Sequence, residues 1–315
     1  MTGLALDAAA AEIAAALRAA GVRSLLLKGR SFEEWLYEPG EPRMYTDIDL
    51  LVAVRDLAAA GSVLEALGYR RKMRTGRDFD GLFEEVGSEH ALQAPTHIDH
   101  ARVWVRPSDN VAVDLHRTLI GVEGEGVDPW DVLAADTDSM LVAGTRVEIL
   151  SEPGRALHVA LHAVHRGDTD RPLIDLGRAL VRVPTATWQA AAALARQLGA
   201  EGAFATGLRM HPAGVELAAN LGLTTEQSVE TAMFTKSAPY SAWTVNRLAQ
   251  TKGLVPKLRI VSRRTFPEPE FMRVWYPIAH RGLGGLGLAY LQRLAWLATA
   301  TAPAIRAWRT ARRDA

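Results

Sequence analysis

The 315-residue chain contains no cysteine. That absence excludes structural disulfides and cysteine-ligated zinc, and it suits a reducing cytoplasm. Met1 to Leu17 is not expected to be a secretory leader: it is alanine-rich, but it carries Asp7 and Glu12 and has no basic start. The segment reads instead as an amphipathic helix ending near Gly21. No stretch meets the requirement of about 20 mostly apolar residues for a membrane span. Leu283 to Ile305 comes nearest, and Gly284, Gly285, Gly287, Arg293 and Pro303 interrupt it. No internal repeat is found. A cytoplasmic protein without a transmembrane segment is the expectation.

What is present is ordinary globular material, 48% hydrophobic and 23% charged, in a chain longer than the usual single domain of about 100 to 150 residues. Two domains are therefore expected. The net charge of zero hides a segregation. From Lys252 onward there are twelve Lys or Arg against three acids, a tail of +9 with Trp275, Tyr276, Trp296 and Trp308 interleaved. Such a block is either a solvated, self-packing helical end or a surface for a nucleic acid, an acidic partner or a membrane.

The most informative stretch is Met44 to Ala53, MYTDIDLLVA. In an extended strand alternate side chains share a face, so Asp47 and Asp49 project together while Ile48 faces the other way. Aspartate is depleted in strands and costly near a core unless it is paired or holds a cation, which makes the pair a candidate metal site. A third acid, Asp114, lies in Asn110-Val111-Ala112-Val113-Asp114-Leu115-His116, where alternation again predicts a strand. Magnesium favours carboxylate oxygens plus substrate phosphates, and two ions held by three acids suit an in-line phosphoryl displacement. The bland alternatives are ion pairs: Arg43 with Asp47, and Arg117 with Asp114. His116 shares the face of Asp114, either as its hydrogen-bond partner or as a contact to phosphate or acceptor.

Upstream, the apolar run Ser24 to Leu27 reads as a buried strand that ends in Lys28-Gly29-Arg30-Ser31 before a helix from Phe32 to Tyr37. A glycine at a strand-to-helix turn lets backbone amides approach an anion, and Lys28 and Arg30 add positive charge.

Leu-Lys-Gly, Arg43, Asp-Ile-Asp-Leu-Leu-Val, Gly68-Tyr69 and Val-Asp-Leu-His, in that order, resemble a bacterial nucleotidyltransferase family within the DNA polymerase beta-like superfamily. The resemblance spans roughly residues 20 to 180, through Leu157 to His165 and Leu173 to Leu176, with an echo from Phe266 to Tyr290. It implies that Asp47 and Asp49 hold magnesium ions bridging the phosphates of a nucleoside triphosphate. Asp114 would bind the second ion and help deprotonate the acceptor. Lys28, Gly29, Arg30 and Ser31 become candidate phosphate contacts, with Arg43, His116, His162 and His165 as further nucleotide-binding candidates. The chain departs from the superfamily pattern at the turn, where Arg30 rather than serine follows Gly29, and in the insertion Glu38-Pro39-Gly40-Glu41-Pro42. The resemblance does not choose among a small molecule or peptide natural product, a protein side chain and a tRNA end as acceptor; a small molecule or peptide is the expectation over a nucleic acid. The alanine- and arginine-rich composition associates with specialised metabolism.

Strand and helix signals alternate up to about residue 150: helices at 5–19, 31–37 and 56–67, and strands at 24–28, 47–53, 69–73, 101–105, 111–116 and 145–150. After Glu152-Pro153-Gly154 the signals are helical. The expected organisation is therefore an α/β (α+β) mixed-sheet catalytic domain over 1–150 and a helical substrate-binding domain with a basic tail over 151–315. His158, His162 and His165 recur at helical spacing on one face. They either border a cleft, pack with Asp175 of the next helix, or hold zinc; no acidic base motif of a zinc hydrolase accompanies them.

Overall fold

A computed structural model describes residues 3–71, 100–122, 127–164 and 170–315. His165 and the end of the expected strand at 69–73 lie outside the described residues. The chain divides into two compact units; the first closes at Gln227 and the second contains Ser228–Ala315.

The first unit is built on a seven-stranded mixed sheet. Its strands are β1 (Leu25–Leu26), β2 (Asp47–Leu51), β3 (Arg70–Arg71), β4 (Ala101–Arg106), β5 (Val111–His116), β6 (Thr137–Val142) and β7 (Thr145–Leu150), in the spatial order β3-β4-β5-β2-β1-β7-β6. The two acid-bearing strands, β2 and β5, lie parallel at the centre, while β1 runs antiparallel to β2 and parallel to β7. β6 gave no strand signal in the sequence because three of its first four positions are polar and mostly exposed. It is held by a hairpin with β7 whose two turn residues, Ala143 and Gly144, both have positive φ (46° and 80°), the conformation a two-residue hairpin turn needs.

Side-chain alternation sends two apolar sets to opposite faces. Leu26, Ile48, Leu50, Val113 and Leu115 pack beneath α1 (Gly3–Ala19) and α3 (Leu57–Ala66). Leu25, Leu27, Leu51 and Leu150 face the other way, onto α2 (Arg30–Leu36), the short α4 (Pro129–Leu133) and α5 (Glu152–Val164). That second core continues through α6 (Arg171–Arg182), α7 (Thr185–Gln197), α8 (Glu201–Arg209) and α9 (Pro212–Asn220). Element type thus changes from sheet to helix near residue 150, as expected, while the first five helices after it share one core with the sheet. Glu152-Pro153-Gly154 forms the opening turn of α5 rather than a break before it. A proline there forfeits an amide that has no intrahelical partner in any case. At Gly207 an added Cβ would collide with the carbonyl of Ala160, so glycine lets α8 lie against α5.

The second unit is helical: α10 (Val229–Thr235), α11 (Tyr240–Gln250), α12 (Leu254–Thr265), α13 (Pro269–Trp275) and the 33-residue α14 (Gly282–Asp314). α14 runs through the glycines and Pro303 that break the apolar pattern of this stretch. Among the described residues no helix is long and apolar enough to cross a membrane.

Candidate metal and nucleotide site

Parallel pairing of β2 with β5 sets Asp49 directly beside Asp114 and Leu51 beside His116. One ligand atom each from Asp49, Asp114 and His116 lies within 4.8 Å of the others. Two carboxylates and an imidazole at that spacing fit one divalent cation, the carboxylates favouring hard ions such as magnesium or manganese and the imidazole widening the choice to softer metals. Asp47 stands outside this cluster. It is paired across the strands with Ala112 and its side chain is 32% exposed, whereas that of Asp49 is 2% exposed.

Lys28 ties Asp47 and Asp49 together. The strand β1 ends at Leu26, the Leu27 amide still donates to the Asp49 carbonyl at 3.0 Å, and the chain then turns at Gly29, whose φ is 68°. The turn delivers the Lys28 ammonium to within 3.0 Å of Asp49 Oδ2 and 3.8 Å of Asp47 Oδ2. His116 Nε2 donates to the other oxygen of Asp49, Oδ1, at 2.9 Å. His116 is thus hydrogen-bonded to the acid of the neighbouring strand. The charges respond accordingly. Burial alone pushes Asp49 up, but the Lys28 ammonium and the His116 contact outweigh it and hold the carboxyl well below its usual range. Burial and the charge of Asp49 push Asp47 up. Burial works against the charge of Lys28, yet the two carboxylates prevail and raise its pKa.

Helix α5 supplies the neighbouring wall. His158 is buried, its ring centroid 5.6 Å from that of Phe32 and 6.0 Å from that of His162. Burial, with His116 and Lys28 nearby, pushes His158 down to about 3; burial and Lys28 hold His162 well below its ordinary value. Both imidazoles are therefore neutral at physiological pH. The Nδ1 atoms of His116, His158 and His162 are buried without hydrogen-bond partners among the described residues.

Arg43 is not the partner of Asp47. Its Nε donates to both oxygens of Asp175 on α6 at 3.1 Å and its Nη2 to Oδ2 at 2.7 Å, with 2% and 0% of the two side chains exposed. Tyr37 Oη donates to Asp175 Oδ1 at 2.8 Å, and burial together with that carboxylate pushes the phenol up to about 12. Arg178 pairs with Glu41 and Arg182 with Glu38. The insertion at Glu38–Pro42 is therefore strapped to α6 on both sides. Nothing in the spacing of Arg43 and Asp175, 132 residues apart, announces this pair. Among the phosphate candidates, Ser31 Oγ and Arg43 Nη1 are buried without hydrogen-bond partners among the described residues, whereas Arg30 lies beside Glu33 and Glu34 at 3.5 and 3.8 Å.

The profile of a family described as uncharacterised nucleotidyltransferases matches residues 1–213. The chain belongs to this family. The match takes in the whole sheet and helices α1 to α8, and so every residue of the cluster. A comparison with curated proteins finds no match.

Proposed function

We propose that this protein is a magnesium-dependent nucleotidyltransferase that moves a nucleoside monophosphate from a nucleoside triphosphate to a hydroxyl or similar nucleophile, releasing pyrophosphate. The observation that carries the reading is the direct pairing of Asp49 with Asp114, flanked by His116 and with Asp47 on the same face. Asp49, Asp114 and His116 would hold one ion, and Asp47 with Asp49 a second. Bound magnesium would supply charge neutralisation for the phosphates and for the leaving pyrophosphate. Asp114 would accept the acceptor's proton. Lys28 already balances Asp47 and Asp49, so a cation arriving there frees the ammonium to pair with phosphate. The triphosphate would rest on the turn at Gly29 and on Arg30 and Ser31 at the start of α2, and Arg43 Nη1, without a hydrogen-bond partner among the described residues, is available to it. His162, with its neutral imidazole, would contact phosphate or acceptor, and the same role is proposed for His165. A small molecule or peptide is favoured as acceptor over a nucleic acid.

The buried ammonium between two acids also suits a binding protein that kept the fold without the chemistry, with Lys28 as a permanent counter-ion. Calorimetric titration with each of the four triphosphates, with and without magnesium, separates the readings. Magnesium-dependent binding of at least one triphosphate, lost in Asp47→Asn and Asp49→Asn, is the expected outcome. Binding that ignores both magnesium and the substitutions would leave the binding protein.

A further inference from the structure

Helix α12 of the second unit carries an apolar stripe that no core cluster of the described residues takes up. Its inner side is fixed: Ile260 is buried, Arg264 Nη1 donates to Thr244 Oγ1 at 2.7 Å, and Arg293 Nε donates to the Arg264 carbonyl at 2.7 Å. At 100° per residue, Leu254, Leu258 and Val261 fall within about 60° of one another and Val255 lies beside them, well away from Ile260. All four are exposed, Leu254 by 71% and Leu258 by 56%, and Phe266 directly after the helix is exposed as well. On the same wheel Lys257 borders the stripe on one side, and Arg259 and Arg263 border it on the other. Residues 251 to 267 contain five Lys or Arg and no acid.

We propose that α12 docks this unit onto an anionic lipid bilayer, lying in the interfacial plane with Leu254, Leu258, Val261 and Phe266 in the acyl boundary and the flanking cations on the headgroups. An exposed aliphatic stripe bordered by cations is what an interfacial helix presents. Nucleic acid would satisfy the cations and leave the leucines in water. A second copy meeting this face about a two-fold axis would set one acid-free cationic border against another. An anionic bilayer matches both the apolar and the charged parts. This inference does not depend on the reaction proposed for the first unit.

The test is co-sedimentation of the full chain with vesicles of phosphatidylcholine mixed with phosphatidylglycerol, beside vesicles of phosphatidylcholine alone. Binding to the mixed vesicles is expected. The triple variant Leu254→Ser, Leu258→Ser, Val261→Ser keeps every charge and should bind at least about tenfold more weakly; Lys257→Gln with Arg259→Gln keeps the stripe and should also lose about tenfold. Because all five positions lie outside the buried core, circular dichroism should show unchanged helix in both variants. Three results would overturn the proposal: no binding to mixed vesicles, binding untouched by the serine variant, or a dimer in sedimentation velocity that the serine variant abolishes while vesicles capture nothing.

Discussion

Lys28 is the residue on which the site's electrostatics turn. Its ammonium stands 3.0 Å from a carboxylate that is almost wholly buried and 3.8 Å from another, so it lets the fold tolerate two acids side by side without a metal. Lys28→Gln should cost about 3 kcal/mol, the usual penalty for stranding a buried charge, and added magnesium or manganese should restore more stability to the variant than to the parent. Thermal melting with and without metal measures both. A variant that melts like the parent in either condition would sink the counter-ion role. His158 makes a second prediction, through pH. Its pKa is about 3 in the fold and about 6.5 in an unfolded chain. As pH falls below about 6.5 the unfolded state takes up a proton that the native state refuses, so stability falls with pH by up to about 1.4 kcal/mol per unit for this group. His162 acts in the same direction. Asp49, held low, adds its own loss only once pH approaches the ordinary carboxylate range of about 3.9. Urea denaturation between about pH 6.5 and 4 should therefore show a shallower slope for His158→Gln, and an unchanged slope would refute the assignment.

At the level of elements, the segment between the insertion and β2 is fastened to α6 through a buried Arg43–Asp175 pair joined by three hydrogen bonds. Asp175→Asn should destabilise by about 3 to 5 kcal/mol, because it leaves Arg43 as an uncompensated buried charge, and chemical denaturation of the variant reads this directly. A loss below about 1 kcal/mol would place the pair among surface-like ion pairs instead. The same element shows where sequence reading reaches and where it stops. Asp-Ile-Asp within an apolar strand and the alternation around Asp114 were legible, since period-two patterning fixes which side chains share a face. Strand register was not. That His116 leans on Asp49, and that Arg43 reaches Asp175, follows from how β2 meets β5 and how α6 meets the insertion, and no local pattern encodes either. β6 was missed because its polar half erases the alternation, and only its turn residues, Ala143-Gly144, carried a trace.

Over the whole molecule, the change from sheet to helix near residue 150 could be read from composition, but the common core of sheet and helices through α9 could not, because it depends on which face of each helix meets the sheet. The tail's charge was likewise plain, while the separation of α12 into a packed side and an exposed apolar side needed three dimensions. β1 sits between β2, which follows it closely in the chain, and β7, which ends at Leu150. A polypeptide emerging from the ribosome can bring Lys28 to its acids by pairing β1 with β2, yet it keeps one edge of β1 unpaired until β7 has been synthesised. Everything needed to gather Asp49, Asp114 and His116 is in place at residue 116, whereas the histidine-bearing wall of α5 emerges only after that edge can close. Synthesis therefore delivers the acids before the wall that shields them.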